Sequence, residues 1–114
     1  MVKVSSAREL SDNALELIAG RFRVLGEANR LKLIHALQFG EKSVSELMSD
    51  SGLAQANASR HLQTLTEAGI LSRRKEGLKV LYQVADPAIF KLCEHVCGSL
   101  QRRLARHVKA FEDQ

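Results

Sequence analysis

The chain lacks any long apolar run. Within its 114 residues, no stretch approaches the roughly 18 consecutive apolar residues that a membrane-spanning helix needs. Residues 1–12 also lack the apolar block of a signal peptide. We therefore expect a soluble, cytoplasmic protein with no membrane partner.

Signatures of catalysis are missing as well. The sequence contains no glycine-rich phosphate loop, no catalytic-triad order and no metal-hydrolase spacing, whereas an enzyme needs a nucleophile, a base and oriented partners. It has no tryptophan, one proline, 4% aromatic residues and no internal repeat or low-complexity tract. The 45% apolar and 26% charged fractions are those of a folded globular protein. We predict one non-enzymatic domain over residues 1–114.

Helical periodicity, in contrast, is abundant. Apolar residues at steps of three and four predict five helices, the first at about 10–25 and the last at about 87–111. Two aliphatic runs on either side of Gly77 predict a β-hairpin before the last helix, and two short helices joined at Ser51 and Gly52 form a minimal helix-turn-helix. The predicted fold class is mainly α with a small β-hairpin. It is a winged helix-turn-helix in the order of four helices, two strands and one helix.

The same pattern predicts helix ends and buried faces. Ser43 and Glu46 have the spacing of a capping box at the start of the third helix. Predicted core residues of the second and fourth helices are Leu31, Leu33, Ile34, Leu37 and Phe39, and Ala54, Ala58, His61, Leu62 and Leu65.

The fourth helix, between Gly52 and Gly69, has an unusual polar face. Most surface helices carry mixed Glu and Lys pairs, whereas this one carries amides, hydroxyls and an arginine. Amides match the donor and acceptor of adenine in the major groove, arginine can fork onto guanine, and hydroxyls suit phosphates or bases. The candidate DNA contacts are Gln55, Asn57, Ser59, Arg60, Gln63 and Thr64. His61 suits either a DNA contact or the edge of the core.

The hairpin is basic near its tip. It carries Arg73, Arg74, Lys75 and Lys79, with Glu76 as the nearby acid, in a chain of formal net charge +4 and pI near 9.4. Such a charge favours an anionic partner, and a basic wing beside a recognition helix contacts the DNA backbone. We therefore predict double-stranded DNA as the partner. The alternative is a protein–protein adaptor that keeps the fold without the DNA contact.

The last helix has a longer apolar stripe than one small domain can cover. Its members are Ile89, Cys93, Val96, Cys97, Leu100, Leu104, Val108 and Phe111. Such a stripe commonly packs against another copy of the chain. We predict a symmetric homodimer in which the first helix (about 10–25) and the last helix (about 87–111) form the interface.

Four segments together resemble the ArsR/SmtB (arsenic-repressor) family of winged-helix transcriptional regulators. They are "RVLGEANRLKLIHAL", "SVSEL", "NASRHLQTLTEAGIL" and "RRKEGLKVLYQVAD", within about Phe22 to Asp86. The resemblance implies a homodimeric repressor that leaves its operator when a metal, a metalloid or a reactive sulfur species binds. It also implies that Gln55, Asn57, Ser59 and His61 lie on or beside the DNA surface.

The family's known effector sites are incomplete in this chain. Met48 and Asp50 stand where one family site has cysteines in the third helix, and the second helix has no cysteine for a sulfide-sensing pair. For a family zinc site near the ends of the last helix, this chain offers Cys93, His95 and His107 but no matching glutamate.

The remaining effector candidates are Cys93 and Cys97. They are four residues apart on one face of the last helix, and without an export signal a structural disulfide is not expected. Two thiolates suit a soft ion such as arsenite, As(III), with a third thiol from the partner chain or a small exogenous thiol. The alternatives are reactive sulfur or an oxidant at this pair, a zinc site that uses His95 or His107, and purely structural cysteines.

Overall fold

The computed structural model describes residues 9–112, with side chains up to residue 109. It confirms the predicted fold class of five helices and a hairpin. The helices and strands, in chain order, are α1 Asp12–Leu25, α2 Ala28–Ala36, β1 Lys42–Ser43, α3 Val44–Ser51, α4 Gln55–Glu67, β2 Leu71–Glu76, β3 Lys79–Val84 and α5 Ala88–Glu112.

The sheet has three strands, one more than the sequence predicted. The order is β1-β3-β2, and both pairings are antiparallel. β1 pairs Lys42 with Tyr82 and Ser43 with Leu81, and two residues are too few for an alternating pattern to reveal a strand. Gly77, with a φ of 63°, turns the hairpin at the first position of a two-residue loop, where a type II′ turn places glycine.

Local hydrogen bonds set the helix starts. The predicted capping box is present in α3, because Ser43 Oγ accepts from the Glu46 amide at 3.3 Å and Glu46 Oε1 accepts from the Ser43 amide at 2.9 Å. Asp86 Oδ1 accepts from the Ala88 amide at 3.0 Å, so α5 begins directly after Pro87. These caps fix how α3 and α5 leave the sheet.

The core lies between α2, α3, α4 and the base of the hairpin. Its largest fully buried side chains are Leu33, Ile34, Leu47, Leu62, Leu65 and Ile70. Three predicted core members are wrong: Ala54 is exposed at the cap of α4, Leu31 is 39% exposed, and Phe39 is 92% exposed. Phe39 faces solvent because α2 ends at Ala36, so the helical periodicity no longer applies at Phe39.

Helix α5 extends away from this core. Ile89 is buried and Phe90 and Leu92 pack on the core, but beyond them Val96 and Leu104 are 49% and 62% exposed. The Cα radius of gyration is 17.6 Å, against about 13 Å for a compact domain of this length. Phe111 of the predicted stripe lies outside the described side chains. Among the described residues, no helix is long and apolar enough to cross a membrane.

Candidate nucleic-acid interface

Helix α4 is held by one side and exposed on the other. Ala58, Leu62 and Leu65 are fully buried, and they fix the helix against α2 and α3. The opposite side contains the predicted DNA contacts. Gln55, Asn57, Ser59, Arg60 and Gln63 are exposed, and Thr64 is half-buried.

Three hydrogen bonds arrange this exposed face. Arg60 Nη2 donates to Asn57 Oδ1 at 3.1 Å, and Gln63 Nε2 donates to Glu67 at 3.4 Å. The Thr64 hydroxyl donates to the Arg60 carbonyl at 3.1 Å, which uses its only proton within the helix. Gln55 and Ser59 have no such bond within the described part of the chain, so their polar atoms are free for a ligand.

His61 does not belong to this face. It is only 6% exposed, and its Nδ1 accepts from Nε of Arg30 at 3.2 Å. Nη1 of the same arginine donates to the Val24 carbonyl at the end of α1 at 3.0 Å. This burial and hydrogen bond favour the core-edge interpretation of His61 over the DNA contact. Arg30 lies in the segment "ANRLKLI", but no local pattern connects it with a residue 31 positions later.

The basic wing side chains divide between the two faces of the hairpin. Side chains alternate along a strand, so Arg73 and Lys75 share the face of buried Leu71, while Arg74 lies on the other. Arg73 also pairs in register with Tyr82, which is 7% exposed. Within the described residues, no carboxylate lies in ion-pair distance of Arg73, Lys75 or Lys79. These three cations are therefore available to an anionic ligand.

Arg74 is instead engaged by two carboxylates. Its Nε donates to Glu41 Oε2 at 3.0 Å, its Nη2 also contacts Glu41 Oε1, and Nη2 lies 2.9 Å from Glu76 Oε2. The hydrogen bond from Arg74 lowers the pKa of Glu41 from its ordinary value, and the same contacts raise the pKa of Arg74. Sequence analysis missed Glu41, which lies 33 positions before Arg74 and carries no local signal.

The two cysteines lie between two grooves on α5. Cys93 is half-buried and Cys97 exposed, and both are free thiols. One groove, of about 450 Å³, is apolar and lies against α1 and α2, with Phe22, Leu25 and Leu31 in its wall. The other, of about 350 Å³, lies between α2 and α5 and includes His35.

The described part of one protomer supplies no third ligand for the predicted metal site. Among the described residues, no three His, Cys, Asp or Glu side chains are placed to hold a metal ion. His95 is exposed and, at 100° per residue, lies about 160° around α5 from both cysteines. A metal held by both thiols would therefore need a further donor from outside the protomer.

Comparison with known proteins identifies the family. A family model described as "Bacterial regulatory protein, arsR family" matches residues 27–73, which hold α2, α3 and α4. An HTH-type transcriptional regulator of Mycobacterium tuberculosis, itself uncharacterised, is 33% identical over 104 residues, or 90% of this chain and 91% of its own. The chain belongs to the arsR family.

Two further comparisons agree with this assignment. The crystal structure of M. tuberculosis Rv0081 superposes on the ArsR-family chain with a TM-score of 0.78, at 32% identity, over 86% of this chain and 99% of that one. The probable mercury resistance operon repressor of Streptomyces lividans is 37% identical over 71 residues, which are 62% of this chain and 57% of that protein's length. The ArsR-family chain is thus a transcriptional regulator rather than an enzyme, as predicted.

Proposed function

We propose that this ArsR-family regulator is a homodimeric repressor that binds double-stranded operator DNA through α4 and the wing. The observation that carries the proposal is the polar face of α4, which is exposed because the opposite side is buried in the core. In helix-turn-helix proteins the second helix enters the major groove and its N-terminal residues reach the bases. Gln55 and Asn57 occupy that end of α4.

Base and phosphate contacts divide between the helix and the wing. Gln55, Asn57 and Arg60 suit adenine and guanine edges, while Ser59 and Gln63 suit phosphate oxygens or either base. The Thr64 hydroxyl, which donates to the Arg60 carbonyl, can accept a hydrogen bond from a base. The cations Arg73, Lys75 and Lys79, which have no ion-pair partner among the described residues, suit the phosphate backbone. Arg74 can contact a phosphate in this arrangement only if its ion pair with Glu41 breaks. Its main contribution is therefore to hold the wing in place.

The dimer is proposed from the apolar surface that a single chain leaves uncovered. On α5, Val96, Leu100, Leu104 and Val108 are 49 to 62% exposed, and on α1 Phe22 is 53% exposed. Burial stabilises by about 25 cal/mol per Å² of apolar surface. A two-fold axis at α1 and α5 would cover both helices, and in helix-turn-helix dimers such symmetry sets two recognition helices about one DNA turn apart.

The effector is proposed to bind at Cys93 and Cys97. Thiolates favour soft ions, and the S. lividans relative is a probable repressor of a mercury resistance operon. For arsenite, the third thiol would come from the partner chain or from a small exogenous thiol, because the chain has two cysteines. Both thiols line the groove that also includes Phe22 and Leu31. Occupation there would move α5 relative to α1 and α2, and so change the spacing of the recognition helices.

Fluorescence anisotropy tests the whole proposal. A labelled duplex from the region upstream of the gene is titrated with reduced protein, with and without arsenite. We expect tight binding that is lost on adding arsenite, whereas the Cys93→Ser, Cys97→Ser double variant binds equally well with and without it. Binding that arsenite leaves unchanged in the wild type would overturn the arsenite proposal and retain the repressor. Binding that is absent, or insensitive to salt, would favour the adaptor.

A further inference from the structure

The second half of α5 carries a basic patch that the operator contact does not use. The patch consists of Arg102, Arg106 and Lys109, all of them exposed. Arg103 lies outside it, about 20° around α5 from Val96 of the apolar stripe. From Gln101 to Lys109 the sequence contains no aspartate or glutamate. Within the described residues, none of the three cations has a carboxylate in ion-pair distance.

Helix stability does not explain this patch. Cations favour a helix C-terminus only within the last turn, which includes Lys109 of a helix that ends at Glu112. Arg102 and Arg106 are like charges at i and i+4, and such pairs destabilise a helix by about 0.2–0.5 kcal/mol each. The arrangement therefore opposes folding of α5 and points to an anionic ligand.

The patch faces away from both the dimer stripe and the operator. At 3.6 residues per turn, Arg102, Arg106 and Lys109 lie on the side of α5 opposite Val96, Leu100 and Leu104. Helix α2 packs on α4 and also forms a groove with α5. With about 8–10 Å between packed helix axes, a duplex on the exposed side of α4 lies two helix layers away from α5.

The composition of this side indicates which anion it suits. Neighbouring residues on the same side are His95, Gly98, Ser99 and Ala105, so the surface offers no tryptophan, tyrosine or large aliphatic side chain. Protein interfaces combine arginine with tryptophan and tyrosine anchors, and interfacial helices insert apolar side chains into lipid. Guanidinium groups in a row without apolar neighbours suit phosphates, which they bind with bidentate hydrogen bonds.

We propose that the basic patch binds the phosphate backbone of a second DNA duplex, so that an operator-bound dimer links two duplexes. This rests on the proposed function for the first duplex alone. Three phosphate contacts give a log–log salt slope of about −2.7 at 0.9 per phosphate. Capture of the second duplex is then expected to weaken roughly 40-fold between 50 and 200 mM salt.

Two-colour binding tests the patch separately from the operator site. The protein, tethered by an N-terminal tag, is saturated with a red-labelled operator duplex and then given a green-labelled duplex of random sequence. The patch variant is R102Q/R106Q/K109Q, since glutamine is a good helix former. The control is the wing variant R73Q/K75Q/K79Q. Circular dichroism establishes that both variants are as helical as the wild type.

We expect the wild type to hold both duplexes. The patch variant should bind the red operator duplex as the wild type does, but its affinity for the green duplex should fall at least tenfold. The wing variant should lose the red duplex and keep the green one. Green captured equally by the wild type and the patch variant, or by neither, would overturn the proposal. The proposal would also be overturned if the patch variant lost affinity only for long red duplexes, because the patch would then contact DNA that flanks the operator. Loss of red in the wild type with green retained would instead contradict only the operator proposal.

Discussion

Arg30 of α2 joins the recognition helix to α1 through His61. The guanidinium donates to His61 Nδ1 at 3.2 Å and to the Val24 carbonyl at 3.0 Å. His61 is 6% exposed, so no solvent could replace the donor without rearrangement. One side chain therefore satisfies an acceptor on the proposed recognition helix and another on α1, a helix of the proposed dimer interface.

Arg30→Met is expected to destabilise the protein by about 1–3 kcal/mol, because a buried acceptor on His61 loses its donor. Thermal unfolding followed by circular dichroism measures the change. The control is Lys32→Met, an exposed position on the same helix, where a change within about 0.5 kcal/mol is expected. Equal melting temperatures for the two variants would contradict the role of Arg30.

Lowering the pH is expected to break the ion pair between Glu41 and Arg74 of the wing. Because Arg74 lowers the pKa of Glu41 below its ordinary 4.5, the ion pair is complete above pH 4.5 and is lost as pH falls through the lowered value. Wild-type stability should therefore fall more steeply below pH 4.5 than that of Glu41→Gln, which has no carboxylate to protonate. Thermal unfolding across pH 2.5–6 tests this. Glu9→Gln, an exposed position outside the helices, should behave as the wild type does.

Neighbouring cations of the wing are expected to affect DNA binding differently. Lys75 is uncompensated, so Lys75→Ala should weaken all duplexes alike and reduce the salt slope by about 0.9. Arg74 is already paired with Glu41 and Glu76, so Arg74→Ala should change the slope less. Anisotropy titrations at several salt concentrations compare the two. A larger slope change for Arg74→Ala would show that it leaves Glu41 for phosphate.

A charge on the α5 stripe is expected to separate the protomers. Leu104 is 62% exposed in the single chain, and burying an unpaired carboxylate there costs several kcal/mol. Leu104→Glu should therefore shift the protein from dimer to monomer in light scattering after size exclusion. Leu78→Glu is the matched control, since Leu78 is fully exposed at the wing tip. A dimeric Leu104→Glu protein would place the interface elsewhere.

Local patterns predicted most of the fold, and pairings distant in sequence account for what they missed. Five helices and the capping box of Ser43 and Glu46 follow from spacings of three and four residues. The partnership of Glu41 with Arg74 spans 33 positions, and that of Arg30 with His61 spans 31. Neither has a periodic signal, because each depends on how α2, α4 and the sheet pack. The polar face of α4 was predictable because burial of its opposite side is itself periodic.

Ser43 has two structural roles at one position. It is the last residue of β1, paired with Leu81 of the wing, and its hydroxyl caps α3. The wing and the helix-turn-helix therefore form a single mechanical unit, since neither can rotate without carrying the other. If effector binding moves α5, the wing and the helix-turn-helix of each protomer move together as one rigid body. The regulator would then recognise the same half-site sequence in both states and differ only in the spacing between half-sites that it accepts.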